Sequence, residues 1–196
     1  MGRLSFLGFN RSEAIGVFVI LLSIITLTFF NMQSSLKKGR DATRKDDVRD
    51  IFDALIAYGI DNNSFPPSSN GQIVACPSGP CKWGVDPLEA FLAQSREPYL
   101  EKLPPDPQNS AGVKYHYIST QRRFQIFGSF EDDRWDEYSP EIEALGISCG
   151  TRTCNFGRAS HGVPLDKLLP EYENEIGVDE STGSAAIILK NKNENE

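Results

Sequence analysis

Four cysteines, which occur as two close pairs, have the most distinctive chemistry in the chain. Cys76 and Cys81 form one C-x4-C pair and Cys149 and Cys154 form the other. Each pair could close a short disulfide loop, although four cysteines allow three connectivities and the sequence does not choose among them. Zinc is the alternative ligand, but zinc ribbons prefer the shorter C-x2-C spacing. We predict the local pairs, which would place this part of the chain outside the cytoplasm.

An acidic segment, Glu131–Glu137, could bind a metal ion. Asp132, Asp133 and Asp136 carry hard oxygen donors, of the kind that hold Ca²⁺ when several converge. The segment lacks EF-hand spacing, and a solvated loop explains the same residues without a ligand. Calcium at these three aspartates is therefore a hypothesis, and no other cofactor is expected.

Groups that could act in catalysis are scarce. Of the two histidines, His116 lies in a strand-like pattern and His161 lies in a Gly-rich segment. His161 follows Ser160 and is close to Asp166 in sequence, but a catalytic triad depends on geometry that this spacing does not supply. The sequence contains neither a P-loop nor a dinucleotide fingerprint. The net charge of −7 argues against binding to nucleic acid, which needs clustered Lys and Arg. We expect neither an enzyme nor a nucleic-acid-binding protein.

A long apolar segment near the N-terminus must anchor everything that follows. Ala14–Phe30 carries no charge, and its polar members Ser23, Thr26 and Thr28 can donate to a backbone carbonyl one helical turn earlier. At ~1.5 Å per residue the segment spans about 26 Å, close to the ~30 Å hydrocarbon core of a bilayer. We predict a transmembrane helix over residues 9–30. A removed signal peptide is the rival interpretation, but no small-residue cleavage site follows the segment.

The helix is expected to continue as an amphipathic stem over residues 31–65. Apolar residues recur at helical spacing on one face: Val48, Ile51, Phe52, Leu55, Ile56 and Gly59. The other face is rich in charges, including Asp41, Arg44 and Lys45, and is expected to be solvated with i,i+4 ion pairs such as Asp41–Lys45. A turn-forming cluster closed by Pro66 and Pro67 ends the helix.

A globular head is predicted over residues 66–180, followed by a polar tail at 181–196. In the head, Asp86–Gln94 has the start signals of a short helix. Val113–Ile118 and Arg123–Phe130 are rich in aromatic and β-branched residues and predict an antiparallel hairpin laid across the long helix. The fold class is therefore α+β, with a long N-terminal helix packed against a small antiparallel sheet.

The start of the chain resembles the prepilin peptidase site of type IV pilins and type II secretion pseudopilins. Gly8 is followed by Phe9, and Glu13 is the fifth residue after that bond. In this family a short basic leader ends in Gly, and an aromatic residue becomes the new N-terminus. The resemblance implies a leader at residues 1–8, processing between Gly8 and Phe9, and a role in assembly for Glu13. The segment Asn10–Ser12 departs from the family, which usually has apolar residues there.

An unpaired carboxylate inside a membrane helix costs about 2.5–3.5 kcal/mol, so Glu13 should have a partner. In the pilin interpretation that partner is the N-terminal amine of a neighbouring subunit. An ordinary carboxylate at the helix start, near the water interface, is the alternative.

Two further segments are similar to pilin-like and pseudopilin proteins. The segment Gly39–Ile51, followed by Tyr58 and by Asp61–Pro66, resembles the basic stretch and the "YYDDNGSYP" element of that family. The segment Tyr99–Pro107 resembles the "YL…LPVDP" element that precedes the pseudopilin sheet. The resemblance implies a pilin-like head, and some secretion pseudopilins hold calcium in the loop after the hairpin.

The function implied by this resemblance is structural. We expect a pilin or pseudopilin subunit of a type IV pilus or type II secretion-like filament, assembled through its N-terminal helix. Its partners would be copies of itself, other pilins or pseudopilins, the prepilin peptidase, the inner-membrane assembly platform and the membrane. The alternative is a single-pass membrane-anchored extracellular binding module that does not polymerise.

The signals for membrane orientation conflict. Lys and Arg are more frequent after the apolar segment than before it, which by the positive-inside rule would place the head in the cytoplasm. These basic residues are interleaved with Asp, however, and the processing site must face inward. We therefore expect an extracytoplasmic head, on the cell surface or in the periplasm.

Overall fold

The computed structural model describes residues 11–76, 79–89 and 97–177, and it begins with one long helix. This helix, α1 (Arg11–Asn62), continues without a break. The chain divides into two compact units between Arg40 and Asp41, so both units contain part of α1. Asn63 adopts a left-handed conformation (φ 54°) directly after the helix, and Pro66 follows. The helix thus ends at Asn62, three residues before the predicted end of the stem at residue 65.

The first unit displays the apolar segment of α1. The hydroxyls of Ser23, Thr26 and Thr28 each donate to the carbonyl oxygen four residues earlier at 2.8 Å, as predicted. The apolar side chains are exposed, for example Phe18 at 66% and Leu27 at 66%. By length and composition α1 is able to cross a membrane.

The second unit adds two small antiparallel sheets and two short helices to the end of α1. In chain order the elements are β1 (Ser68–Ser69), β2 (Gln72–Ile73), β3 (His116–Ser119), β4 (Phe124–Gly128), α2 (Pro140–Ala144), β5 (Phe156–Ala159) and α3 (Leu169–Glu175). Strands β1 and β2 pair with each other, and β3, β4 and β5 form a sheet in that order. The predicted hairpin is confirmed as β3–β4, with Tyr117 opposite Ile126. Strand β5 was not predicted.

The apolar face of α1 packs against the three-stranded sheet. Val48, Ile51 and Leu55 are buried in one cluster with Tyr117, Phe124 and Ile126. The ring centroids of Phe52 and Phe124 lie 5.5 Å apart. Full burial of each such side chain contributes about 1.5–3 kcal/mol, so this face of α1 holds the second unit together.

The opposite side of β4 is covered by a second apolar cluster. Phe127 packs there with Ile142 of α2 and with the buried pair Cys149 and Cys154. Helix α2 begins at the N-cap Ser139, whose hydroxyl accepts the Ile142 N–H at 3.2 Å. Because both faces are covered, all five residues of β4 are buried.

The predicted helix at Asp86–Gln94 is wrong at its start. Leu88 instead forms a β-bridge with Leu100, and its N–H donates to the Leu100 carbonyl at 2.9 Å. Leu88 is fully buried, so the packing of its side chain in the core stabilises an extended segment here and overrides the local helix signals. Asp86 accepts the Lys82 N–H and does not cap a helix. Residues 90–96 lie outside the described part of the chain.

Candidate functional site

The residues predicted to take part in processing and assembly are close together near the start of the sequence. Gly8 and Phe9 are outside the described residues. Glu13 lies in the first turn of α1 with an exposed side chain. A carboxylate there interacts favourably with the positive end of the helix dipole. The exposed apolar stretch of α1 follows directly, so the Glu13 carboxylate lies next to a surface whose exposure to water is unfavourable.

A buried arginine organises the start of the second unit. Arg44 has no exposed surface, and all five of its N–H groups have acceptors. Nε and Nη2 donate to the two carboxylate oxygens of Asp106 at 2.8 and 3.1 Å. Nη1 donates to Asp41 at 2.6 Å and to Glu131 at 3.0 Å, and Nη2 also donates to Gln108 at 2.8 Å. The guanidinium therefore joins α1 to two loops that are distant in sequence.

Asp41 connects the same network to the loop after β4. Its carboxylate accepts the Glu131 N–H at 2.9 and 3.1 Å and the Asp132 N–H at 3.0 Å. The carboxylate of Glu131 also lies 3.6 Å from the Arg152 guanidinium. Asp41 thus holds the beginning of this loop through two backbone N–H groups, and Arg44 and Arg152 hold it through the Glu131 side chain.

The charge of Arg44 is retained despite its burial. Burial disfavours the charged guanidinium, but the hydrogen bonds that it donates to Asp106, Asp41 and Glu131, together with the attraction of the Asp106 charge, outweigh that cost and raise the pKa of Arg44. Removing one partner from such a network leaves an uncompensated buried charge, which typically costs about 3–5 kcal/mol.

A second buried contact lies next to this network. The Tyr115 hydroxyl donates to Asp47 of α1 at 2.6 Å. Burial raises the pKa of Tyr115, and the hydrogen bond to Asp47 raises it further. Burial also raises the pKa of Asp47, although the hydrogen bond from Tyr115 opposes this change.

The predicted solvated face of α1 is therefore wrong at Asp41 and Arg44, both of which have no exposed surface. The expected Asp41–Lys45 pair is replaced by Asp41–Arg44, and Lys45 pairs with Glu137 at 2.5 Å. The physical reason is that loops from later in the chain bring carboxylates over this face. The sequence offers no signal for these contacts beyond the resemblance of Gly39–Ile51 and Tyr99–Pro107 to one family, which does not specify them.

The aspartates of the calcium hypothesis are not brought together in a group that could hold a metal ion, among the residues that the structure describes. Both carboxylate oxygens of Asp132 accept hydrogen bonds from Arg134, at 2.7 and 2.6 Å. Asp133 and Asp136 have exposed side chains. Calcium at these residues stays a prediction, and the pairing of Asp132 counts against it.

Both cysteine pairs form disulfides with the local connectivity. The Cα atoms are 5.3 Å apart in Cys76–Cys81 and 5.1 Å apart in Cys149–Cys154. All four cysteines are buried, and each disulfide lies in one of the two apolar clusters. They act as core residues as well as loop closures.

Ser160, His161 and Asp166, which are close together in sequence, have different surroundings in the structure. Ser160 is buried, and its hydroxyl oxygen accepts the Phe124 N–H at 3.1 Å. His161 and Asp166 have exposed side chains. Ser160 therefore has a structural role at the start of β4, where it binds the backbone of Phe124.

Comparison with known proteins finds a similarity to a secretion-system protein. Over 134 residues the chain is 28% identical to the type II secretion system core protein G of Pseudomonas aeruginosa, a match that covers 65% of this chain and 84% of the relative. No family model and no solved structure matches the chain. With the long apolar helix and the small antiparallel sheets, this similarity confirms the resemblance inferred from the sequence: the chain is related to the type II secretion pseudopilins and has an α+β, pilin-like fold.

Proposed function

We propose that this chain is a structural subunit of a type II secretion-like filament, anchored in a membrane and assembled through the first part of α1. The observation that carries the proposal is the exposed apolar surface of that helix segment, none of which is buried among the residues that the structure describes. The similarity to a type II secretion core protein supports the same role.

The apolar surface of α1 requires a partner. Ile15, Phe18 and Ile25 are each exposed by more than 60% (65%, 66% and 64%) and lie in one continuous helix. Moving a side chain of this size out of water is worth about 1.5–3 kcal/mol, and many are present here. Lipid satisfies this surface before assembly, and neighbouring apolar helices satisfy it in a filament.

Glu13 supplies the polar element of this assembly. In a bundle of apolar helices the local dielectric is low, so attraction between Glu13 and a neighbour's N-terminal amine is stronger than in water. Processing after Gly8 would create that amine on Phe9. The carboxylate thereby sets the register between neighbouring subunits.

The second unit forms the head of the subunit and lies outside the cytoplasm. Its two disulfides support this location, because disulfides persist in oxidising compartments. Other pseudopilins are the expected neighbours in the filament, and the prepilin peptidase and the inner-membrane assembly platform are the expected processing and assembly partners.

The mass of the mature protein tests this proposal. The chain is expressed with a prepilin peptidase, and its N-terminus is identified by mass spectrometry. We expect an N-terminus at Phe9, and we expect Gly8→Asp to leave the precursor intact because the cleavage site needs a residue without a side chain. Gly2→Asp, a change within the leader, is the matched control and should be processed normally. Mature protein that retains residues 1–8 would favour the non-polymerising membrane-anchored module.

A further inference from the structure

The loop after β4, Glu131–Glu137, is the segment in which the family resemblance implies calcium. A calcium site needs about six to eight oxygen ligands that converge on one point. In the described residues the carboxylates of this loop do not converge in that way. Three of them, Glu131, Asp132 and Glu137, contact cationic side chains of the protein instead.

These contacts are spread along the loop. Glu131 accepts from Arg44 at 3.0 Å, and Asp132 accepts from Arg134 at 2.6 and 2.7 Å. At the far end of the loop, Glu137 pairs with Lys45 at 2.5 Å. Lys45 also lies 5.8 Å from the ring centroid of Trp135, within the range of a cation–π contact.

Arg44 differs from the other cations because it is completely buried. It bonds three carboxylates from separate parts of the chain, and one of them, Asp41, also accepts the first two N–H groups of the loop. Arg44 thus gathers carboxylate oxygens around one positive charge, and Asp41, one of these carboxylates, binds the loop backbone. A bound metal ion orders a loop in the same way, by bringing several oxygen ligands together. We propose that Arg44 is the internal cation that folds the Glu131–Glu137 loop, and that the loop needs no calcium.

Thermal unfolding of the full-length chain in detergent tests this proposal. The Trp83→Phe background leaves Trp135, which lies within the loop, as the fluorescent reporter. We expect the same melting temperature and the same Trp135 emission in excess calcium and in EGTA. We expect Arg44→Met to lower the melting temperature by roughly 10 °C, since a broken buried ion network costs several kcal/mol.

Three further variants make the result specific. Arg49→Met removes an exposed arginine of the same helix, whose partner is Asp46, and should leave the melting temperature nearly unchanged. Arg44→Lys keeps the charge but cannot make the five directed bonds, so its melting temperature should fall between those of wild type and Arg44→Met. If Arg44→Met does not fold, Glu131→Gln weakens the same network from the loop side and should shift Trp135 emission.

The proposal would be overturned by calcium dependence of the loop. A melting temperature that rises with calcium in the wild type, and that loses this rise in Asp132→Asn and Asp136→Asn, would assign the loop to a metal. Unchanged stability and unchanged Trp135 emission in Arg44→Met would also contradict the role given to Arg44.

Discussion

At the scale of single residues, Asp47 lies beside the Arg44 network and is destabilised in its charged form. Burial is the main cause that raises the pKa of Asp47; the hydrogen bond from Tyr115 opposes it, and the charges of Asp106, Asp50 and Asp46 reinforce it. The folded protein therefore holds a proton on Asp47 more readily than the unfolded chain does. The free energy of unfolding contributed by this group falls as pH rises above the ordinary carboxyl range and through the folded-state pKa.

Asp47→Asn should remove this dependence, because an amide does not ionise but still offers an oxygen to Tyr115. We expect the variant to gain stability relative to wild type as pH rises from the ordinary carboxyl range through the folded-state pKa of Asp47. Urea unfolding at several pH values measures the difference. Asp46→Asn, a change at an exposed carboxylate one residue away, should alter the slope much less. Parallel pH profiles for wild type and Asp47→Asn would contradict this account.

The hydrogen-bond partners of a side chain could be predicted from the sequence where they lie in the same helix, but not where they lie in distant loops. The hydroxyls of Ser23, Thr26 and Thr28 bond within one helical turn, so their partners follow from the helix itself. Asp41 is a local partner of Arg44, but its other partners Asp106, Gln108 and Glu131 lie 62, 64 and 87 residues away in the chain. A helical charge pattern contains no information about such loops, which is why Arg44 was assigned to the solvated face.

At the scale of elements, the pattern of α1 and of the β3–β4 hairpin was predictable because apolar residues recur with the period of each structure. Strand β5 was not, since it is short and contains Gly157. That glycine is required: an added Cβ would lie 2.6 Å from the Ile126 carbonyl oxygen of the neighbouring strand. Glycine allows two strands to approach closely, but it is not one of the β-branched or aromatic residues by which a strand is recognised in a sequence.

The loop of the second disulfide depends on another glycine. Gly150 has φ +80°, and a Cβ added there would lie 1.9 Å from the Gly112 carbonyl oxygen. Gly150→Ala should lower the free energy of unfolding by about 3 kcal/mol or more, from backbone strain and the displaced strand contact. Gly146 has φ +66° but open space around it, so Gly146→Ala should cost only about 1 kcal/mol. Chemical unfolding of both variants compares them, and equal losses would show that close packing at Gly150 is unimportant.

The disulfides themselves should contribute modestly. Each closes a loop with a sequence separation of 5, so the entropy removed from the unfolded chain is small and each should add about 2 kcal/mol or less. Replacing either pair with alanine and measuring urea unfolding tests this value. Peptide mapping without reductant, on protein from its native compartment, should recover both linked pairs. Four free thiols or bound zinc would refute the assignment.

At the scale of the whole molecule, the chain divides at Asp41 into two units that differ in how far their apolar residues are buried. The second unit has a buried apolar core and pairs buried charges internally, as at Arg44 with Asp41 and Asp106. The first unit exposes its apolar residues along a single helix. The sequence predicted an amphipathic stem from residue 31, whereas burial against the head begins only at Asp41.

The central claim is assembly through the N-terminal helix, and Glu13→Ala tests it most directly. Wild type and variant are brought to matched levels in the membrane, and incorporation into filaments is measured by pull-down with a tagged wild-type subunit and by filament counts. Ser12→Ala, a change at the preceding polar residue, is the control. We predict that Glu13→Ala inserts in the membrane and keeps the melting temperature of the head, because Glu13 lies in the first unit, outside the one that holds the core. We predict that its incorporation falls well below that of Ser12→Ala. Equal incorporation of wild type, Ser12→Ala and Glu13→Ala would contradict the account.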